Sequence, residues 1–195
     1  MIRHVPNMLT MSRIIVIPAM IGAFYLDSPL SNWVVFGFFC FASITDYFDG
    51  YLARSLNEVT GLGRFLDPVA DKLLVAATLL MLVYVDQIAD WTILPAVVIM
   101  CREIMVSALR EYLAELRVGL PVSKLAKWKT LVQMLALSFV IVGDAAFWQI
   151  PAREIGIAGL WIAAALTIYT GYDYLLLGLR HMTNDERSEN SLDDG

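Results

Sequence analysis

Six apolar runs constrain the fold of this chain more than any other feature of its sequence. Each run has about 20 residues, the length that an α-helix needs to cross the hydrocarbon core of a bilayer. Hydrophobic residues make up 58% of the chain and charged residues 17%, which is too apolar for an ordinary soluble domain. No alternating strand pattern is visible. We therefore predict an all-α fold, an integral membrane bundle of six transmembrane helices with spans at about residues 9–26, 33–54, 65–85, 91–109, 124–142 and 155–179.

The chain divides into one membrane domain and a short tail. Residues 1–183 contain all six spans, and residues 184–195 are acidic, polar and predicted to be disordered. Both cysteines, Cys40 and Cys101, lie in apolar runs, so no disulfide framework is expected. The first apolar run is already long enough to span and no small-residue cleavage site clearly ends it, so no cleavable signal peptide is expected.

The basic residues indicate how the bundle is oriented in the membrane. With six spans, one side of the membrane carries Arg3, Arg13, Arg54, Arg64, Arg110, Arg117, Lys124, Lys127, Lys129, Arg180 and Arg187. The short loops of the other side carry only Arg153. Because basic residues accumulate on the cytoplasmic side, both termini and the loop between the second and third spans are predicted to be cytoplasmic. We expect a multi-pass protein of a bacterial cytoplasmic membrane.

Four carboxylates flank that loop. Asp46 and Asp49 are spaced i, i+3, and Asp67 and Asp71 are spaced i, i+4, so each pair lies on one face of a helix. Two facing helices would bring all four carboxylates together. Such a cluster requires cations, and oxygen ligands of this kind suit Mg²⁺ or Mn²⁺. The alternative is that the carboxylates are solvated in a surface loop, which is disfavoured because carboxylates in membrane segments are usually functional.

The residues between the carboxylate pairs suit a phosphate ligand. Gly50 and Gly63 remove side chains where a ligand could approach the backbone, Ala53 is small, and Arg54 offers a planar fork for phosphate. The whole pattern, D-x2-D-G-x2-A-R-x8-G-x3-D-x3-D, resembles the signature of the CDP-alcohol phosphotransferase family at every fixed position. Members of that family are membrane enzymes that transfer a phosphoryl-bearing group from a CDP-activated donor to an alcohol.

The resemblance implies a role for each motif residue. It implies two Mg²⁺ or Mn²⁺ ions, with Asp46, Asp49 and Asp67 as metal ligands. Asp71 is implied as the general base for the acceptor hydroxyl and as a further contact to the second metal. The implied binding site for the cytidine diphosphate is formed by Gly50, Ala53, Arg54, Thr60 and Gly63. A homodimer is typical of the family.

A second group of charged residues follows in the fourth and fifth spans. Arg102 lies deep in an apolar run and requires an anionic partner. One interpretation is a basic pocket for a phosphate on the acceptor, formed by Arg102, Arg110 and Lys127 or Lys129. The other is that the arginines pair with neighbouring carboxylates while the lysines anchor the helix at lipid headgroups.

Three segments carry a narrower resemblance, to family members that use glycerol 3-phosphate as acceptor. They are P-N-x-L-T-x-x-R at 6–13, the R-E-I block from Arg102 to Glu111, and K-x-K-T at 127–130. The resemblance covers residues 5–180 and implies transfer of the phosphatidyl group of CDP-diacylglycerol to glycerol 3-phosphate, with release of CMP. These two substrates and membrane lipid are the expected partners, and no nucleic acid is expected.

Two alternatives remain open. The first is the same chemistry with another acceptor, such as inositol phosphate, phosphatidylglycerol or serine. Serine is disfavoured because a phosphate-free acceptor would not need Arg102 and Arg110. The second is a cation transporter with carboxylates inside the membrane. Transporters often carry internal repeats and sites near the midplane, whereas no repeat is visible here and the carboxylates cluster at one end.

Overall fold

The computed structural model describes the backbone of residues 5–56, 61–115, 124–146 and 150–193, and describes the side chains of part of them. Within these ranges the secondary structure is entirely helical. The six long helices are α1 (Val5–Ala23), α2 (Leu30–Leu56), α3 (Gly61–Tyr84), α4 (Ile93–Glu115), α5 (Lys124–Val142) and α6 (Ala152–Asp193). Single 3-10 turns precede α4 and follow α5. The all-α prediction is therefore confirmed for the described residues.

The helices extend beyond the apolar runs from which they are predicted. The predicted loop between the second and third spans includes Gly63, but α3 begins at Gly61. The reason is that an apolar run marks only the part of a helix that can lie in hydrocarbon, while the helix itself continues into a polar layer. In the same way α6 continues to Asp193, into the acidic segment. The division of the chain at residue 183 stays a prediction.

Three stretches of the described helices are long and apolar enough to cross a membrane: Asp90–Ala114, Trp128–Ala145 and Ala152–Tyr172. Two shorter apolar stretches, Met11–Ala23 and Leu30–Asp46, lie in α1 and α2. The core between the helices is built from side chains such as Met20, Phe39, Leu82, Ile99 and Leu160, each at most 1% exposed. The large apolar side chains on the outside of the helices, Ile15 and Leu80 for example, are exposed as they would be in a protein that faces lipid.

Polar contacts join the connections at one end of the bundle. This end is remote from the aspartate motif, which consists of Asp46, Asp49, Asp67 and Asp71. Asn32, near the start of α2, donates a hydrogen bond to the carbonyl of Ile141 at 2.8 Å. Arg153, near the start of α6, donates to the carbonyls of Asp86 and Gln87, both at 2.9 Å, beyond the end of α3. The connections after α1, α3 and α5 therefore meet at one end of the bundle, and the aspartate motif lies at the other.

Helices α5 and α6 pack most closely. A Cβ atom added to Gly156 would lie 2.5 Å from Cγ2 of Val140 and 2.9 Å from the carbonyl oxygen of Ala136. A Cβ atom on Gly159 would lie 2.8 Å from Cβ of Ala136. The two glycines let the helix backbones approach each other, and this fixes the register of α6 against α5.

Candidate functional site

The residues of the sequence motif lie on two successive helices. Helix α2 carries Asp46, Asp49, Gly50, Ala53 and Arg54, and α3 carries Gly63, Asp67 and Asp71. Both carboxylate spacings are therefore helical, as predicted. Asp46 and Asp71 have described side chains. Thr60, and the side chains of Asp49, Ala53, Arg54 and Asp67, lie outside the described part of the chain.

Asp46 forms an ion pair with Arg13 of α1, in which Nη1 of the arginine donates to Oδ1 of the carboxylate. The Arg13 side chain is 1% exposed, whereas that of Asp46 is 42% exposed. A buried guanidinium requires a close anionic partner, because the desolvation of an unpaired charge costs several kcal/mol. The pair connects α1 to α2 and leaves one side of the Asp46 carboxylate accessible.

Asp71, the last carboxylate of the aspartate motif, lies within electrostatic range of the second charged group. Its carboxylate interacts electrostatically with Asp46 and Glu103, which carry like charge, and with Lys72 and Arg13, which carry opposite charge. The Lys72 ammonium donates a hydrogen bond to the carbonyl of Pro68, at 2.9 Å on its own helix. The two groups that the sequence presents separately are therefore neighbours in the fold.

The second group centres on Glu103. Lys129 of α5, which is 2% exposed, donates a hydrogen bond to the Glu103 carboxylate. Arg102 lies with Nη1 3.9 Å from the other carboxylate oxygen. Nη2 of Arg102 also donates to the hydroxyl of Thr170 on α6, at 3.0 Å. The carboxylate pairing predicted for the arginines is thus found for Arg102. Lys129 is predicted to bind either a phosphate or lipid headgroups, and its carboxylate partner is a finding of the structure. Both cations line the same part of the bundle.

Arg110 and Lys127 are the other two members of the predicted basic pocket. Arg110 is exposed on α4, eight residues after Arg102, which corresponds to about 12 Å along a helix. The side chain of Lys127 lies outside the described residues. The structure thus brings Arg102 and Lys129 together and leaves the roles of Arg110 and Lys127 as predictions.

Three of the residues at the site are not among the predicted site residues. The sequence places Arg13 among the cytoplasmic charges and at the end of the P-N-x-L-T-x-x-R segment but assigns it no partner, although a charge beside a long apolar run signals a partner within the bundle. Glu103 is an acidic residue adjacent to a buried arginine, which is a comparable signal. Thr170 gives no signal of its own, because its partner lies 68 positions away in the sequence.

The carboxylate oxygens of the aspartate motif are chemically suited to bind divalent cations. Asp46 and Asp71 interact through their like charges across two helices, and a shared cation would relieve that repulsion. Carboxylate oxygens are the ligands that Mg²⁺ and Mn²⁺ prefer. No group of three or more His, Cys, Asp or Glu that could hold a metal ion occurs among the described residues, which do not include the side chains of Asp49 and Asp67.

Comparison with known proteins gives one consistent result. A curated CDP-diacylglycerol–glycerol-3-phosphate 3-phosphatidyltransferase of Rickettsia felis is 47% identical over 172 residues, covering 88% of this chain and 93% of that protein. A protein of the same name from Pseudomonas fluorescens is 43% identical over 191 residues, covering 95% of both. One from Shigella flexneri is 42% identical over 176 residues, covering 88% of this chain and 93% of that protein. The family model described as CDP-alcohol phosphatidyltransferase matches residues 3–169, and the chain therefore belongs to that family.

Proposed function

We propose that this enzyme transfers the phosphatidyl group of CDP-diacylglycerol to glycerol 3-phosphate and releases CMP. This is the phosphatidylglycerophosphate synthase reaction of anionic phospholipid biosynthesis. The observation that carries the proposal is the pair of charged groups inside the bundle. Arg13 holds Asp46 of the aspartate motif, and Arg102 and Lys129 lie around Glu103. Asp71 lies within electrostatic range of both groups. An activated diphosphate at the motif and a phosphate-bearing alcohol at the cations would meet at this carboxylate. The names of the similar proteins agree with this choice of donor and acceptor.

The reaction is an attack of an alcohol on a phosphorus atom. The hydroxyl oxygen of glycerol 3-phosphate forms a bond to the phosphatidyl phosphorus, and the bond from that phosphorus to the oxygen of CMP breaks. Asp71 takes the hydroxyl proton as general base, which makes the alcohol a better nucleophile. Arg102 and Lys129, with Arg110 and Lys127, would hold the acceptor phosphate.

Two Mg²⁺ or Mn²⁺ ions would be held by Asp46, Asp49, Asp67 and Asp71. When bound, such ions neutralise the diphosphate and stabilise the departing phosphate. Asp46 is suited to this role because Arg13 engages one of its oxygens from the buried side and fixes the orientation of the carboxylate. The cytidine diphosphate would lie along the α2–α3 connection against Gly50, Ala53, Arg54, Thr60 and Gly63, where small residues open the backbone to the ligand.

The chain would lie in the bacterial cytoplasmic membrane with six spans and both termini in the cytoplasm. Every long helix has at least 19 residues, enough to cross a hydrocarbon core of about 30 Å. Arg153, the basic residue at the remote end, is bound to backbone carbonyls of the α3–α4 connection. This orientation would give the acceptor access from the cytoplasm and the donor access from the bilayer. A homodimer is proposed on family resemblance.

The decisive experiment measures CMP release by the purified protein in liposomes that contain CDP-diacylglycerol, with Mg²⁺ or Mn²⁺ and one acceptor at a time. Glycerol 3-phosphate, inositol phosphate, serine and phosphatidylglycerol are the acceptors to compare. Release with glycerol 3-phosphate alone is the expected result. Release only with another acceptor would overturn the choice of acceptor, and an ion flux without CMP release would indicate a transporter.

A further inference from the structure

Thr170 lies where α6 meets the side chain of Arg102. Nη2 of Arg102 donates a hydrogen bond to the threonine hydroxyl at 3.0 Å, and the hydroxyl in turn donates to the carbonyl of Leu166 at 2.8 Å, one turn earlier on α6. The hydroxyl therefore accepts from the guanidinium while its own proton is directed to the backbone. Arg102 is 9% exposed and Thr170 is 2% exposed, so the contact is shielded from water.

The residue after Thr170 gives space to the rest of the arginine. A Cβ atom added to Gly171 would lie 3.2 Å from Cγ and 3.5 Å from Nε of Arg102. The stem of the arginine therefore runs along the α6 backbone at a place where α6 has no side chain. Thr170 holds the charged end and Gly171 accommodates the stem.

We propose that Thr170 is a positioning residue that orients the guanidinium of Arg102 toward the phosphate of the acceptor. The proposal rests on the proposed function, in which Arg102 binds that phosphate. A guanidinium is planar and rigid, so a hydrogen bond at one nitrogen sets the plane in which the whole group presents its donors. Bidentate recognition of a phosphate depends on that plane. Without the hydroxyl, the arginine would have to be ordered by the acceptor itself, at the expense of acceptor affinity.

The test compares Thr170→Val, which keeps the branched shape and removes the hydroxyl, with the wild type. CMP release is measured at saturating CDP-diacylglycerol with glycerol 3-phosphate varied. Loss of a hydrogen bond to a charged group predicts a rise of roughly tenfold in the KM for glycerol 3-phosphate. The kcat and the KM for CDP-diacylglycerol should change by less than about twofold, because the groups at the reacting phosphorus are untouched. Thr170→Ser restores a hydroxyl and should return the KM close to the wild-type value.

Thr167→Val is the matched control. Thr167 lies one turn earlier on the same helix, is fully buried, and its hydroxyl has no hydrogen-bond partner among the described residues. Its replacement should leave the KM for glycerol 3-phosphate unchanged. Equal KM shifts in Thr167→Val and Thr170→Val would overturn the proposal, because they would indicate a general effect of α6. Failure of Thr170→Ser to restore the KM would overturn it as well.

A second readout separates positioning from stability. Glycerol 3-phosphate should raise the unfolding temperature of the wild type, and this protection should shrink in Thr170→Val and return in Thr170→Ser. A lower unfolding temperature with unchanged protection and unchanged KM would make Thr170 purely structural. If the valine variant does not fold, the smaller Thr170→Ala is measured in the same way, with the same expectation.

Absence of CMP release from the wild type with glycerol 3-phosphate would overturn the proposed function itself. An active wild type with an unchanged KM in the Thr170 variant would overturn only the role of Thr170.

Discussion

Lys129 of α5 and Glu103 of α4 form a partly buried ion pair beside Arg102. The ammonium of Lys129 is almost completely removed from solvent, and Glu103 supplies its hydrogen-bonding carboxylate. The Lys129 ammonium also interacts electrostatically with Asp71, so the pair combines a structural connection between two helices with a place in the candidate site. Removing one member of such a pair is more costly than removing both, because the remaining charge is left buried without its partner.

Glu103→Gln should therefore destabilise the protein by about 3 kcal/mol, because Lys129 loses its counter-charge. The double variant Glu103→Gln, Lys129→Met should recover part of that loss. Thermal unfolding in detergent is measured for the wild type, both single variants and the double variant. Together these form a double-mutant cycle that gives the interaction energy of the two side chains. Strictly additive effects of the two single substitutions would show that the two side chains do not interact.

Arg13→Gln is expected to weaken the binding of divalent cations. Arg13 holds Asp46 from the buried side, and loss of a residue that orients a metal-binding carboxylate typically lowers metal affinity by about 10- to 100-fold. The measurement is a Mn²⁺ titration followed by the shift in unfolding temperature, which does not depend on turnover. Arg153→Gln is the control, since Arg153 binds backbone carbonyls at the remote end of the bundle. Equal Mn²⁺ affinities in both variants and the wild type would contradict a role for Arg13 at the proposed metal site.

Asp71→Asn tests the general base. The amide keeps the size of the side chain and cannot take a proton, so kcat should fall by about 10²- to 10⁴-fold. Binding of CDP-diacylglycerol, measured as protection against thermal unfolding, should be largely retained. Asp144→Asn, at an exposed carboxylate in the turn after α5, should have normal kcat. Normal turnover by Asp71→Asn would assign the base to another residue.

The sequence predicts the helices of this chain better than the contacts between them. The bounds of α5, Lys124–Val142, match the fifth predicted span because both ends of that apolar run are marked by a change in polarity. The aspartate spacings likewise require only that the segments be helical. The partners Arg13 and Asp46 are 33 positions apart, and Arg102 and Thr170 are 68 positions apart. Their meeting depends on which helices are neighbours and in what register, and a local pattern of apolar residues contains no information on either.

Glycines set part of the register between neighbouring helices. The sequence does not show which glycines lie at a helix contact and which do not. A Cβ atom added to Gly37 on α2 would have no described atom within 4 Å, whereas Gly156 on α6 lies against the backbone of α5. Both occur inside apolar helical runs, and only the packing of the neighbouring helix separates them. This is why the charged residues could be predicted from the sequence, while the packing of α4, α5 and α6 that brings Lys129 and Thr170 toward Arg102 could not.

Gly156→Ala should destabilise the protein although alanine is the better helix former. The new methyl group would lie 2.7 Å from the backbone nitrogen of Val140 and 2.9 Å from the carbonyl oxygen of Ala136, and backbone atoms cannot move without separating α5 from α6. Overpacking of this kind costs about 1 to 3 kcal/mol. Because α5 carries Lys129 and α6 carries Thr170, the KM for glycerol 3-phosphate should rise together with the loss of stability.

Gly37→Ala, at a position with open space, should instead leave the KM unchanged and stabilise the helix by up to about 1 kcal/mol. Thermal unfolding and CMP release measured on both variants check the prediction, and equal stabilities would mean that α5 and α6 do not approach as closely as the glycines indicate.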